Sequence, residues 1–182
     1  MRATCSPPAQ NGKTHLARMR IIWGLLRGER IVAMSSNRNM ALDTFREVAY
    51  IIETIDFLAS ELAHKPRLAN GQEMITFKNG GRYEIVAATR DGSRGKTADL
   101  LFIDELREVS IEAWTASRPV TRARPNAQTL VTSNAGDAFS EVLKDLRERA
   151  LDYPSPTFAW YEYSVTGLPA CLSILSLTRA PS

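Results

Sequence analysis

The chain has 182 residues, of which 44% are hydrophobic and 24% are charged. These values fit one soluble globular domain and exclude a wholly disordered chain. The net charge is only +3, so charge alone does not require a nucleic-acid partner. No run reaches the roughly 20 uninterrupted apolar residues of a membrane span, and the first residues lack an apolar signal-peptide core. We therefore expect a cytoplasmic protein with no membrane partner.

Cysteine and histidine are scarce. The two cysteines, Cys5 and Cys171, lie near opposite ends of the chain, and there are only two histidines. These numbers exclude a disulfide scaffold and a zinc cluster.

The predicted elements alternate between helices and strands. In chain order they are a loop at 7–11, a helix at 15–26, a strand at 30–35, a helix at 38–63, a hairpin of strands at 74–77 and 82–88, a loop at 91–97, a strand at 100–103, a helix at 110–117, a strand at 128–132, a helix at 138–151 and a strand at 157–163. Most of these strands are apolar throughout, as in sheets that are covered on both faces. The alternation predicts an α/β fold with a mostly parallel sheet flanked by helices.

The last 18 residues, 165–182, differ in composition from the rest. They contain one charged residue, Arg179, and no acid. We expect a main domain at 8–164, followed by a disordered tail at 165–182.

A phosphate-binding pattern, Asn11-Gly12-Lys13-Thr14, stands directly before the first predicted helix. The N–H groups at a helix N-terminus can bind phosphates, the lysine can reach the β and γ phosphates, and the threonine hydroxyl can hold Mg²⁺. The full pattern has an earlier glycine where this chain has Pro7, and too few residues come before the loop for its usual strand. Taken alone, the tripeptide also occurs by chance.

Two acids, Asp104 and Glu105, follow the apolar strand at 100–103. Ligands bind at the carboxyl ends of strands in open α/β sheets. Asp104 would hold Mg²⁺ through water, and Glu105 would act as the general base on the attacking water. The alternative is a buried strand that ends in two solvated acids.

A polar segment, Thr132-Ser133-Asn134, ends the next buried strand. It could sense the γ-phosphate, or it could serve only as a helix cap and turn. The order of the three motifs carries more information than any one of them. It is typical of P-loop ATPases of the helicase and motor type, and it predicts a P-loop NTPase fold whose first strand is missing.

Basic residues in two segments remain ambiguous. Arg94 lies on the loop before the strand at 100–103 and is either an arginine finger that stabilises γ-phosphate charge or part of a flexible basic loop. For Arg90 and Lys96 we favour the flexible loop. A second group could touch a DNA backbone or form a solvated surface: Arg118, Arg122 and Arg124. We assign the three tryptophans to the core.

Three runs of the sequence, PPAQNGKTHLARMRIIWGLLRGERIVAMSSN, GSRGKTADLLFIDELREV and QTLVTSNAG, resemble the N-terminal ATPase part of the large terminase subunit of tailed bacteriophages. The resemblance covers about 8–164. It implies an ATP-driven motor that uses Mg²⁺ and moves double-stranded DNA into a prohead. Its implied partners are a small terminase subunit, a portal protein and further copies of the chain in a ring, in the cytoplasm of the bacterial host.

The resemblance also assigns roles to individual residues. It implies nucleotide binding by Gln10, Asn11, Gly12, Lys13, Thr14, Asp104, Thr132, Ser133 and Asn134. It implies Mg²⁺ ligation by Thr14 and Asp104, and catalysis by Glu105 and Arg94.

The sequence departs from the family pattern at several points. Ala9 stands where the phosphate loop usually has arginine, the first strand is missing, and no acidic nuclease domain follows. These departures put turnover by the chain alone in doubt, and our hypothesis is a truncated or frame-disrupted terminase gene. The alternatives are another DNA-dependent P-loop ATPase, such as a helicase, and a catalytically inactive terminase remnant.

Overall fold

The computed structural model describes residues 12–69, 71–89, 95–153, 155–163 and 172–178. The helices in these ranges are α1 (Lys13–Leu26), α2 (Arg38–Thr54), α3 (Asp56–Glu61), α4 (Ile111–Ser117) and α5 (Glu141–Asp152), with short 3₁₀ turns at Leu106–Glu108 and Arg118–Thr121. The strands are β1 (Arg30–Ser35), β2 (Met74–Thr76), β3 (Arg82–Ala87), β4 (Leu100–Asp104), β5 (Gln128–Asn134), β6 (Phe158–Tyr163) and β7 (Leu172–Thr178).

The described strands form one sheet in the order β2-β3-β1-β4-β5-β7-β6. The four central strands, β3, β1, β4 and β5, are parallel. Antiparallel strands flank them: β2 pairs with β3 on one side, while β7 pairs with β5 and β6 with β7 on the other. The predicted α/β fold with a mostly parallel sheet is therefore confirmed.

Both faces of the central strands are buried. Along β1, Ile31 and Ala33 belong to one hydrophobic core, which also contains residues of α1, α2 and α3. The intervening Val32 and Met34 belong to a second core, which contains residues of α4 and α5. Successive side chains of a strand point to opposite faces, so a strand covered on both sides reads as an unbroken apolar run. No described helix is long and apolar enough to cross a membrane.

The helix predicted at 38–63 is wrong in its length. It is two helices, α2 and α3, separated by Ile55, whose backbone is extended (φ −96°, ψ 110°). The Thr54 hydroxyl donates to the Tyr50 carbonyl at 2.7 Å, a side-chain bond that competes with regular helix geometry. The last residues predicted as helix join the sheet edge, where the N–H of Ala63 donates to the Thr76 carbonyl at 2.9 Å.

Part of the segment expected to be a disordered tail is described, and it forms a strand. Within 165–182, residues Leu172–Thr178 form β7, which lies between β5 and β6. Pairing with β7 satisfies the edge of β5, which would otherwise present unpaired main-chain groups. Composition alone did not reveal this strand, because the sequence between Val165 and Ser182 carries no helix or charge pattern that ties it to the domain.

Trp23 corrects the assignment of all three tryptophans to the core. It is 50% exposed, and the guanidinium groups of Arg20 and Arg27 lie 4.8 and 4.7 Å from its ring centroid. These are cation–π distances. Trp114 and Trp160 do pack against the second core.

Candidate active site

The carboxyl ends of β4 and β5 meet the first turn of α1. α1 begins directly after Gly12, whose φ of +76° lies in the left-handed region that favours glycine. No side chain among the described residues caps this end of α1. The first N–H groups of a helix have no partner within the helix, so this end of α1 can receive an anion.

Lys13 lies between the two strand ends. Its Nζ donates to Asn134 Oδ1 at 2.5 Å and lies 3.4 Å from Glu105 Oε1. Asn134 Nδ2 in turn donates to the same Glu105 oxygen at 2.9 Å. Lys13 lies in α1, Glu105 directly follows β4, and Asn134 ends β5. Glu105 and Asn134 are 92 and 121 residues from Lys13 in sequence. The structure therefore brings one predicted residue of each motif into a single cluster.

Asp104 is tied to the end of β5. The buried Thr132 donates its hydroxyl to Asp104 Oδ1 at 2.6 Å, and the Glu105 N–H donates to the same oxygen at 3.0 Å. Burial raises the pKa of the Asp104 carboxyl, the Thr132 hydrogen bond lowers it, and the charge of Glu105 raises it further. The net result is an acid whose pKa lies above its usual value.

Glu105 has an unusual backbone and one carboxylate oxygen that accepts no hydrogen bond from the described residues. Its φ of 51° and ψ of 56° lie in the left-handed region, which costs free energy for a residue with a Cβ. The residue is buried, and its Oε2 accepts no hydrogen bond from the described residues. Strained backbone of this kind clusters at functional sites, and the buried Oε2 retains an acceptor position that no hydrogen bond uses.

Arg107 and Ser140 complete the surroundings, and sequence reasoning missed both. The Ser133 hydroxyl accepts from the Arg107 N–H, and the Ser140 hydroxyl donates to the Arg107 carbonyl, each at 3.1 Å. Arg107 Nε also lies 3.4 Å from Glu105 Oε2. The signal that could have found Arg107 is its place two residues after the acidic pair.

The donor set fits Mg²⁺. Asp104 offers a carboxylate, and Thr14 offers a hydroxyl in the first turn of α1. Mg²⁺ prefers oxygen ligands and is usually held by one or two carboxylates together with phosphates and water. Among the described residues, no group of three or more histidine, cysteine or acidic side chains forms a separate metal cage.

The remaining candidate residues either fall outside the described residues or contact other side chains. Gln10, Asn11 and Arg94, as well as Arg90, fall outside the described residues. Lys96 Nζ pairs with Glu84 at 2.8 Å, and Arg124 pairs with Asp99 at 3.0 Å. The two remaining arginines of the second basic group are exposed: Arg118 and Arg122.

Comparison with known proteins gives one family and one fold. A family model described as "Terminase large subunit, T4likevirus-type, N-terminal" matches residues 5–166. Among solved structures, the large terminase ATPase domain of Thermus phage P74-26 aligns with a TM-score of 0.52 and 20% identity, over 73% of this chain and 60% of that one. This chain thus spans about three fifths of the length of that ATPase domain.

Two further comparisons add nothing about the site. The methyltransferase domain of bacterial CtHen1-CN aligns with a TM-score of 0.44 and 10% identity, over 91% of this chain and 100% of that one, which is too low a similarity to carry an argument. No curated protein matches the chain. The family match covers most of the sequence, so the chain belongs to the T4-like type of large terminase subunits, in their N-terminal part.

Proposed function

We propose that this chain binds ATP with Mg²⁺ and hydrolyses it, as the ATPase part of a phage motor that moves double-stranded DNA. The observation that supports this most strongly is the cluster of Lys13, Glu105 and Asn134 at one edge of the sheet. A lysine at a helix N-terminus, facing acids at the ends of parallel strands, is the arrangement that phosphoryl transfer requires.

Lys13 has the first role. Its ammonium group now pairs with Asn134 and Glu105, and the phosphates of a nucleotide would offer it a stronger anion. Binding would therefore draw Lys13 away from Asn134 and Glu105 toward the β and γ phosphates, while the open N–H groups of α1 hold phosphate oxygens. Gln10 and Asn11 would extend this cradle on the N-terminal side.

Glu105 has the catalytic role. Its Oε2, which accepts no hydrogen bond from the described residues, would accept a proton from the water that attacks the γ-phosphorus, as the P–O bond to ADP breaks. Asn134 donates a hydrogen bond to the other carboxylate oxygen, Oε1, and so fixes the orientation of the Glu105 carboxylate. Arg94 remains our candidate for an arginine finger that stabilises charge on the transferring phosphoryl group.

Thr14 and Asp104 would hold Mg²⁺, which neutralises phosphate charge when it is bound. Thr132 donates to Asp104 and fixes its position at the end of β4. Because Thr132 and Ser133 belong to β5, a change at the nucleotide would reach the end of that strand through hydrogen bonds already in place. We propose that this connection is the start of coupling between hydrolysis and DNA movement.

The partners follow from the same proposal. A packaging motor acts on double-stranded DNA, and we propose a ring of copies that meets a portal protein and a small terminase subunit. In such a ring, Arg94 could serve either its own subunit or a neighbour.

Mg²⁺-dependent ATP hydrolysis by the purified chain tests the proposal, measured with and without double-stranded DNA. Lys13→Ala and Glu105→Gln should each lower the rate by about 100-fold or more, because each removes a group that stabilises the transition state. DNA should raise the rate of the unaltered chain.

A matched control is Lys78→Ala, which removes a lysine on the β2–β3 turn. Lys78 Nζ donates to the Ser60 carbonyl, away from the cluster, so hydrolysis should be unchanged. A folded chain that does not hydrolyse ATP, or one whose hydrolysis survives both site substitutions, would contradict the proposal and favour a remnant without turnover.

A further inference from the structure

We propose that Arg107 is a positioning residue for Glu105, and that it holds the catalytic carboxylate when nucleotide draws Lys13 away. This inference rests on the proposed ATPase function. It assigns a role to a side chain that the three sequence motifs do not include.

The two oxygens of Glu105 have different cationic neighbours. Lys13 Nζ lies 3.4 Å from Oε1, and Arg107 Nε lies 3.4 Å from Oε2. Oε1 is also fixed by the hydrogen bond from Asn134, whereas Oε2 accepts no hydrogen bond from the described residues. Arg107 is thus the cation nearest to the oxygen that would receive the proton.

Nucleotide binding changes this balance. Once Lys13 turns to the phosphates, Glu105 loses one of its two neighbouring cations at the moment when more negative charge arrives. A buried carboxylate without a neighbouring cation is costly and tends to move toward solvent or another partner. The Arg107 guanidinium, 3.4 Å from Oε2, can hold the Glu105 carboxylate in place.

The turn that carries Arg107 is held by its main chain. The Ser133 hydroxyl accepts from the Arg107 N–H, and the Ser140 hydroxyl donates to its carbonyl. Neither bond uses the guanidinium group, and the Arg107 side chain is 39% exposed. Removing the side chain also removes its 3.2 Å pair with the exposed Glu108, but the main-chain bonds should keep the turn, Asp104 and Lys13 where they are.

The first test is steady-state ATP hydrolysis by Arg107→Ala and Arg107→Lys. We expect Arg107→Ala to lower kcat by about 10- to 100-fold, because catalytic geometry is sensitive to displacements of about 1 Å. KM for ATP should change by less than about threefold, which corresponds to well under 1 kcal/mol. Arg107→Lys keeps the charge and should recover part of the lost kcat.

The matched control is Arg46→Ala. Arg46 Nη1 lies 3.4 Å from Asp43 Oδ1 on the exposed face of α2, so the change removes an arginine–carboxylate pair of the same length away from the site. Its kcat should equal that of the unaltered chain. An Arg107→Ala variant with unchanged kcat would overturn the inference, as would one whose loss is equal in Arg107→Lys.

A second test does not need turnover. The shift in urea midpoint caused by Arg107→Ala is measured in the unaltered chain and in the Glu105→Gln background. If Arg107 holds the carboxylate, the shift should be at least halved when the charge at 105 is gone. Equal shifts in both backgrounds would overturn the inference. A chain that does not hydrolyse ATP would contradict the proposed function, and this double-mutant cycle would still decide whether Arg107 acts on Glu105.

Discussion

The proposed metal binding and the burial of Asp104 favour opposite protonation states of its carboxyl. The Mg²⁺ binding that we propose requires its ionised carboxylate, but burial raises the pKa of that carboxyl above its usual value. Folding therefore favours the protonated form. The stability contributed by this group is fully present below the unfolded-state pKa and is lost as the pH rises through the higher folded-state pKa.

The consequence at the residue scale is that Asp104→Asn should stabilise the fold at pH 7. Asparagine keeps an oxygen that can accept from Thr132 and carries no buried charge. Urea unfolding at pH 7 should give a higher midpoint for the variant, and the gain should shrink as the pH approaches about 4. Asp43→Asn, at a position 72% exposed, should show no such trend. A lower midpoint for Asp104→Asn at pH 7 would refute this reading of the site.

Tyr83 presents a second residue-scale test. Its ring is fully buried and lies 5.3 Å from that of Phe45, but its hydroxyl has no hydrogen-bond partner among the described residues. Because an unpaired buried hydroxyl is costly, Tyr83→Phe should leave the free energy of unfolding unchanged or raise it by about 1 kcal/mol. Tyr161→Phe, at an exposed position, is the control. A loss of more than about 1 kcal/mol would indicate a partner for the hydroxyl.

At the scale of elements, the β2–β3 hairpin holds the end of α1. The Asn79 amide donates to the Leu25 and Leu26 carbonyls at 2.9 and 3.0 Å, and its oxygen accepts from the Gly81 N–H at 2.8 Å. The last carbonyls of a helix have no partner within it. The hairpin turn therefore supplies the C-terminal cap of the helix that carries Lys13.

Asn79→Ala should lower the free energy of unfolding by about 1–3 kcal/mol, because the Leu26 carbonyl loses its Asn79 hydrogen bond and the Leu25 carbonyl keeps only the bond from the Gly28 N–H. Denaturant unfolding measures the loss, and Asn39→Ala, on the exposed first turn of α2, is the matched control. Gly81→Ala should be destabilising for another reason, since an added Cβ would overlap the Leu25 carbonyl oxygen. If neither variant loses stability, the hairpin does not anchor α1.

The sequence predicted most elements because their signals are local. The apolar runs in β1, β4 and β5 and the Lys78–Gly81 turn needed no tertiary information. The break at Ile55 and the pairing of β7 could not be predicted, because both depend on what the segment meets in space. The site shows the same limit. Motif order placed Lys13 and Glu105 together, whereas the contacts of Arg107 arise only when its turn packs on β5 and on the loop before α5.

At the scale of the whole molecule, the function that we propose is that of a motor acting on DNA. The net charge of +3 provides little general attraction for DNA, so any contact must come from local arginine and lysine side chains. Stimulation of hydrolysis by double-stranded DNA should therefore fall as NaCl rises from about 50 to 200 mM. Over this range the DNA affinity of a protein that makes a few phosphate contacts decreases by about 10- to 1000-fold. Basal hydrolysis should change much less, because the Lys13 cluster is largely buried. Equal salt dependence with and without DNA would contradict this expectation.

The central claim is that Lys13 binds the nucleotide and Glu105 performs the chemistry, and equilibrium binding separates the two most directly. The measurement is titration of the unaltered chain, Lys13→Ala and Glu105→Gln with a fluorescent ATP analogue in the presence of Mg²⁺. We predict that Glu105→Gln binds the analogue as tightly as the unaltered chain but does not hydrolyse it, while Lys13→Ala loses affinity by about 10-fold or more. Equal binding by Lys13→Ala and the unaltered chain would contradict the claim.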